Sequence, residues 1–266
     1  MNRYMLVSAL VLWLAVLGCG DDSDGGELGT YTFTLYGEAF IEEGIPANEV
    51  VDGWTITFDR FLIAVDEVRA GDVAMDGAVV LDLTTSSAGQ GHRIAEVEAS
   101  VGRYTDLTYR VGPVTQAQAG PGATADDVAT MTGMGYAMLV EGSATRGTES
   151  KTFTWAFATE TTYLNCQTQA DVEVNSEGVS QLTIHADHLF YDDLVSEEPN
   201  VAFDLVASAD ANGDGEVTQA ELAQVDLSTQ SRYQVGSAPI QDLWGFIEAQ
   251  TRTLGHIDGE GHCDTQ

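Results

Sequence analysis

Six oxygen-bearing residues at fixed spacing carry the clearest chemistry in this chain. In Asp210-Ala-Asn212-Gly-Asp214-Gly215-Glu216-Val217-Thr218-Gln-Ala-Glu221, side-chain oxygens recur at the first, third and fifth positions. Gly215 at the sixth permits a sharp turn, and the seventh, Glu216, supplies its backbone carbonyl. Thr218 at the ninth acts through a water, and Glu221 at the twelfth offers both carboxylate oxygens. Calcium is a hard cation that takes about six to eight oxygens in flexible geometry, so short acidic side chains alternating on a tight loop suit it. One calcium ion is the cofactor this spacing implies. The plainer reading, a solvated Asp/Gly turn, requires all these positions to match by chance.

The histidines form a second set. The chain has five, and four fall in two short segments: His185-Ala-Asp187-His188, and His256 with His262 beside Cys263. Imidazoles joined by Asp187 or Asp192 have the donor types that bind copper or zinc. In a strand, His185 and His188 would point to opposite faces, so a shared site demands that the chain bend between them. The competing reading is of polar side chains at a sheet end, hydrogen-bonded or facing solvent.

Around the acidic loop, Val201, Leu205, Val206 and Ala209 recur at helical spacing after a stop at Pro199, and Leu222 and Val225 continue the apolar face beyond it. With those flanks, residues 200–227 resemble one EF-hand of the calmodulin type. The resemblance covers about a tenth of the chain and implies a helix on each side of the loop. EF-hands usually pair through a short sheet. No second loop is found, since Asp258-Gly-Glu260-Gly is too short and lacks the closing Glu.

The compartment is read from the N-terminus. Met1-Asn2-Arg3 gives a short positive start, and residues 4–17 form an apolar run too short for a comfortable membrane span. It ends in Val16-Leu17-Gly18-Cys19, which resembles the lipobox of bacterial lipoproteins. That resemblance implies that residues 1–18 are removed, that Cys19 is lipidated, and that 19–30 form a flexible acidic tether. Gly20 rather than Asp follows Cys19, so an outer-membrane location, facing the periplasm or the outside, is the expectation. The other two cysteines, Cys166 and Cys263, would then meet an oxidising compartment, where a disulfide is expected. The alternatives are two free thiols, or Cys263 as a metal ligand. A bridge across nearly a hundred residues contributes about 4–5 kcal/mol on the chain-entropy view.

The formal net charge is −32, and residues 152–231 hold fifteen Asp or Glu with no Lys or Arg. That balance excludes nucleic acid as a default partner and argues against adhesion to anionic lipid through a basic patch. The acidic field would concentrate divalent cations.

The elements that must position these residues read mainly as strands. Runs at 31–36, 54–58, 61–65, 79–83, 103–111, 134–140, 153–157 and 179–184 alternate or are rich in β-formers, with turn residues between them. The expectation is an antiparallel β-sandwich over 31–198, then the EF-hand helix pair at 199–228, then an amphipathic helix and disulfide-tied tail at 229–266. In the last segment Ile240, Leu243, Trp244, Ile247 and Leu254 share a helical face, with Ser237 as N-cap and Gly255 as stop. Residues 116–130 read as a long loop with a short helix at 125–129.

No nucleophile elbow, His-Glu-x-x-His, phosphate loop or dinucleotide fingerprint is present. Acid pairs such as Asp192-Asp193 do not establish the facing geometry that a hydrolase needs. The sequence reads as a lipid-anchored calcium-binding protein, with a protein or glycan partner and the membrane as its contacts. The rival is a copper- or zinc-binding or redox envelope protein using His185, His188, His256 and His262.

Overall fold

The computed structural model describes residues 27–266. The signal segment, the lipobox and Cys19 lie outside the described residues. No helix among those described is long and apolar enough to cross a membrane.

The chain is mainly β. Its strands are β1 (Leu28–Tyr36), β2 (Thr55–Ala70), β3 (Val73–Ala74), β4 (Val79–Asp82), β5 (His92–Ser100), β6 (Gly102–Val111), β7 (Gln118–Ala119), β8 (Met138–Arg146), β9 (Glu149–Phe157), β10 (Thr161–Val172), β11 (Glu177–Ile184), β12 (Glu216–Val217), β13 (Gly255–Ile257) and β14 (Asp264–Thr265). Among the described residues they are punctuated by the α-helices α1 (Glu38–Glu42), α2 (Ala125–Met134), α3 (Asp204–Ser208), α4 (Gln219–Leu222) and α5 (Leu243–Gln250). One open sheet runs β13-β11-β1-β5, and the other runs β12-β9-β8-β2-β6-β10-β14, with β3 and β4 also pairing with β2 and β7 with β4.

The antiparallel expectation is corrected to mixed sheets. β1 pairs parallel with β11, β4 with β7, and β12 with β9. Parallel neighbours need long crossovers, and the β1–β11 crossover contains most of the second sheet. The two sheets share one hydrophobic cluster, into which β1 sends Tyr31, Phe33 and Leu35. Tyr31 meets Tyr104 of β6 edge-on at 4.8 Å, linking the sheets directly.

β2 merges two runs that read separately in the sequence. A register shift between Phe58 and Arg60 bends the strand without ending it. Its continuous apolar stretch is buried on both faces: Phe61, Ile63 and Val65 enter the main cluster, while Leu62 and Ala64 enter a smaller one with Met131 of α2. α2 is longer than the segment expected and takes up Met134, so β8 starts only at Met138. Thr124 caps α2 reciprocally with Asp127, and Gly135 ends it at φ +69°.

The C-terminal segment also differs in detail. α5 starts after Asp242, whose carboxylate accepts from the Gly245 N–H at 2.9 Å, so Asp242 rather than Ser237 is the N-cap. The helix ends at Gln250, and Leu254 and Gly255 belong to the turn and strand beyond it. Cys166 of β10 is bonded to Cys263, immediately before β14.

Candidate metal centres

The acidic loop sits at the edge of the larger sheet. Its helices are single turns, five residues in α3 and four in α4, so the long helix pair implied by the EF-hand resemblance is not formed. Val201 lies outside α3, in bridges to Val50 and Tyr191. Distant residues supply what a longer helix would otherwise provide. Asp52 accepts from the Phe203 and Asp204 N–H groups at 2.8 and 2.7 Å, satisfying free donors at the start of α3. Trp54 Nε1 donates to Asp204 Oδ1 at 2.9 Å.

A paired EF-hand joins its partner through the short strand in the loop. Here that strand, β12, pairs with β9 instead, in register Glu216 to Thr152 and Val217 to Phe153. The Thr152 N–H donates to the Gly215 carbonyl at 2.8 Å, and Trp155 Nε1 donates to the Val217 carbonyl at 3.0 Å. Gln219 Nε2 adds a bond to the Ala156 carbonyl at 2.8 Å. The edge of β9 is thus covered by the loop strand over these two residues.

Within the loop, Asp210 Oδ1 accepts from Gly213 N–H at 2.7 Å, and Asn212 Oδ1 accepts from Asp214 N–H at 2.8 Å. Gly215 takes φ +91°, a conformation a side chain would strain. The Asp210 side chain is only 1% exposed, and Lys151 Nζ donates to its Oδ2 at 2.5 Å. Lys151 is the main reason the Asp210 carboxyl lies below its usual range, with the Gly213 and Gly215 N–H groups adding to it. Glu221 is lowered chiefly by the Thr218 N–H and hydroxyl, and also by the Asn212 and Ala211 N–H groups across the loop. Both carboxylates are therefore ionised at neutral pH. Lys151 and Thr218 each engage one oxygen of these carboxylates, Asp210 Oδ2 and Glu221 Oε2.

The histidines converge at the other sheet. His185 follows the last residue of β11, and a 3₁₀ turn at Asp187–Phe190 supplies the bend that brings His188 to the same side. β13 pairs with β11, setting His256 opposite Thr183. The rings of His185 and His256 lie 4.4 Å apart between centroids, His185 and His188 5.4 Å, and His188 and His256 5.3 Å. His262 flanks the group at 5.5 Å from His256 and is exposed. The fifth histidine, His92, is elsewhere, its Nε2 2.7 Å from the Thr85 carbonyl.

Among the described residues, the sets of three or more His, Cys, Asp or Glu whose ligand atoms lie within 4.8 Å of one another are His185–Asp187–His188 and His185–His256–Glu260. The carboxylates of the acidic loop do not form such a set. Burial, and then the neighbouring His185, push both His188 and His256 down to about 4, so both rings are neutral at pH 7. Glu38 is raised, first by burial, with Glu260 and Asp187 adding to it against His185. Asp192, a candidate partner in the sequence, is not part of the group. It accepts from the Asn200 N–H and Nδ2 and faces Arg232.

Glu38, Glu260 and Tyr191 were missed from sequence. Glu38 is separated from His185 by most of the chain, and only the β1–β11 pairing brings them together. Tyr191 lies within reach of the His-x-x-His segment, and a 3₁₀ reading there would have placed it beside His188, where the rings stand 4.5 Å apart. Comparison of the chain with protein-family models, curated proteins and solved structures finds no match.

Proposed function

We propose that this is a cell-envelope protein whose single calcium ion fixes the acidic C-terminal region onto a β-sandwich. Asp210, Asn212, Asp214, the Glu216 carbonyl and Glu221 bind the ion, with Thr218 acting through water. The observation that carries the reading is the bonding of the loop strand to β9, with Trp155 donating to the Val217 carbonyl. A loop tied to a sheet edge cannot open against a partner loop as a sensor pair does. Its calcium is structural, offsetting the acidity of residues 152–231 and holding α3 and α4 in place. Extracellular EF-hand sites bind at about 10⁻⁴ to 10⁻³ M, which suits a permanently loaded site outside the cytoplasm. Cys19 anchors the chain by lipid to the outer membrane, and the ordered acidic face meets a protein or glycan partner.

Hydrogen exchange with and without calcium tests this. Calcium should slow exchange across residues 204–222 and along β9, leaving β1 and β11 unchanged. Equal exchange in both conditions would refute it.

A further inference from the structure

We propose that His185, His188 and His256, together with the carboxylate of Asp187, form a second centre that binds one divalent transition ion, zinc or copper. It is independent of the calcium loop.

The side chains come from three elements fixed by separate constraints. His185 directly follows β11, His188 sits in the 3₁₀ turn, and His256 is held by the β13 pairing to β11. The Cys166–Cys263 bond ties the tail beyond β13 to β10. Within each close set the donor atoms lie within 4.8 Å of one another, against roughly 3.3 Å for nitrogens on a tetrahedral ion at about 2.0–2.1 Å, so side-chain rotations about the shared His185 must draw the two sets onto one ion.

The decisive feature is what these groups lack. His185 Nε2, His256 Nδ1 and Asp187 Oδ1 are each buried and have no hydrogen-bond partner among the described residues. Histidines serving only as packing at a sheet end would pair these atoms with backbone or hydroxyl groups, because an unpaired buried polar atom is costly. His185 belongs to both close sets, with Asp187 and His188 in one and with His256 and Glu260 in the other, so the three unpaired metal donors lie on or beside a single shared imidazole. His185 Nε2 stands 3.6 Å from Glu38 Oε1, too long for a hydrogen bond but close enough for the carboxylate to offset cationic charge.

The surrounding contacts have the form of supports for metal ligands. His188 Nδ1 lies 3.0 Å from Thr253 Oγ1, which leaves Nε2 as the free donor. The Tyr191 hydroxyl donates to Asp187 Oδ2 at 2.8 Å, which orients the carboxylate and leaves Oδ1 unpaired. Glu260 extends the site on the His256 side. A nitrogen-rich donor set selects zinc or copper over calcium or magnesium, which take oxygen.

The test is calorimetric titration of the full-length protein with Zn²⁺ and, separately, Cu²⁺, with calcium held at saturation throughout. Co²⁺ serves as a visible-absorption probe of nitrogen coordination. One equivalent of zinc or copper per chain is expected, lost in His185→Ala and His256→Ala and kept in His92→Ala. Thr253→Val should weaken binding by about tenfold to a hundredfold, as support contacts of this kind do. Should His185→Ala fail to fold, as judged by its melting curve, the half-buried His188→Gln is read in its place and must also lose the ion. Binding of neither metal at one equivalent, or binding undiminished in folded His188→Gln and His256→Ala, would overturn the proposal. Either result leaves the calcium reading intact, because calcium is present in every arm.

Discussion

Glu221→Gln isolates the calcium contribution from every other property of the loop. Glu221 Oε2 accepts from the Thr218 N–H at 3.0 Å and from its hydroxyl at 2.9 Å, while Thr218 Oγ1 caps α4 through the Glu221 N–H. A glutamine carbonyl can accept both bonds, and Gln is as acceptable as Glu in this capping box. What Gln cannot supply is the pair of anionic oxygens that close the calcium shell. Ligand linkage sets the magnitude. At 10 mM calcium a site with a dissociation constant of about 10⁻⁴ M stabilises by roughly 2.7 kcal/mol, and one of about 10⁻³ M by roughly 1.4 kcal/mol. For a domain of this size each kcal/mol moves the midpoint by about 2–4 °C. The variant should therefore melt about 3–11 °C below wild type in 10 mM calcium and within about 1 °C of it in chelator. Differential scanning calorimetry of both proteins in both buffers gives the four midpoints. Comparison within one buffer cancels any effect of chelator on the histidine site. Equal shifts in both buffers would mean that Glu221 acts only as a cap, and no shift in either would mean that the loop binds no calcium.

Three further outcomes follow from named contacts. Lys151→Met removes the cation bonded to Asp210 and should tighten calcium binding several-fold in a competition titration; weaker binding would show that Lys151 positions Asp210 rather than competing for it. Trp155→Phe removes the indole bond to the buried Val217 carbonyl and should destabilise by about 0.5–1.5 kcal/mol in urea unfolding, whereas no measurable change would deny that bond its role in fixing the loop. At Asp127, burial pushes the carboxyl up, but Arg60 and Thr124 outweigh it and the net shift is downward. The stability it contributes is thus present above its ordinary value of 3.8 and lost as pH falls through the folded one. Asp127→Asn should cost about 1 kcal/mol or more at pH 7, and the difference from wild type should shrink below about pH 4; a cost independent of pH would contradict the ion pair.

Strands whose inward residues are large and apolar were legible in the sequence. β1 and β9 alternate Tyr31, Phe33 and Leu35, or Phe153, Trp155 and Phe157, and both emerge close to where the pattern puts them. β10 was not legible, because half its inward positions are Thr161, Thr168 and Ala170, which carry little hydrophobic signal. β5 is an edge strand with one fully buried residue, Ala99, so its composition resembles loop. Parallel pairing of β1 with β11 leaves no local trace, since it joins segments about 150 residues apart. The turn of the acidic loop was legible, because its Asp, Asn and Gly positions are local and Gly215 takes the positive φ its place in the pattern calls for. Its short helices and its docking on β9 were not, because Asp52, Trp54, Lys151 and Trp155 act from the β region. The histidine group was half legible. His185, His188, His256 and His262 stood out by clustering, while the turn that unites them and the contribution of Glu38 depend on tertiary pairing.

Calcium stoichiometry tests the central claim most directly. Chelator-stripped protein, equilibrated by dialysis against graded calcium, should bind one ion per chain with a dissociation constant of about 10⁻⁴ to 10⁻³ M. Glu221→Gln should bind none at the same concentrations. A folded wild-type chain that takes up no calcium, or a variant that takes up as much as wild type, would contradict the account.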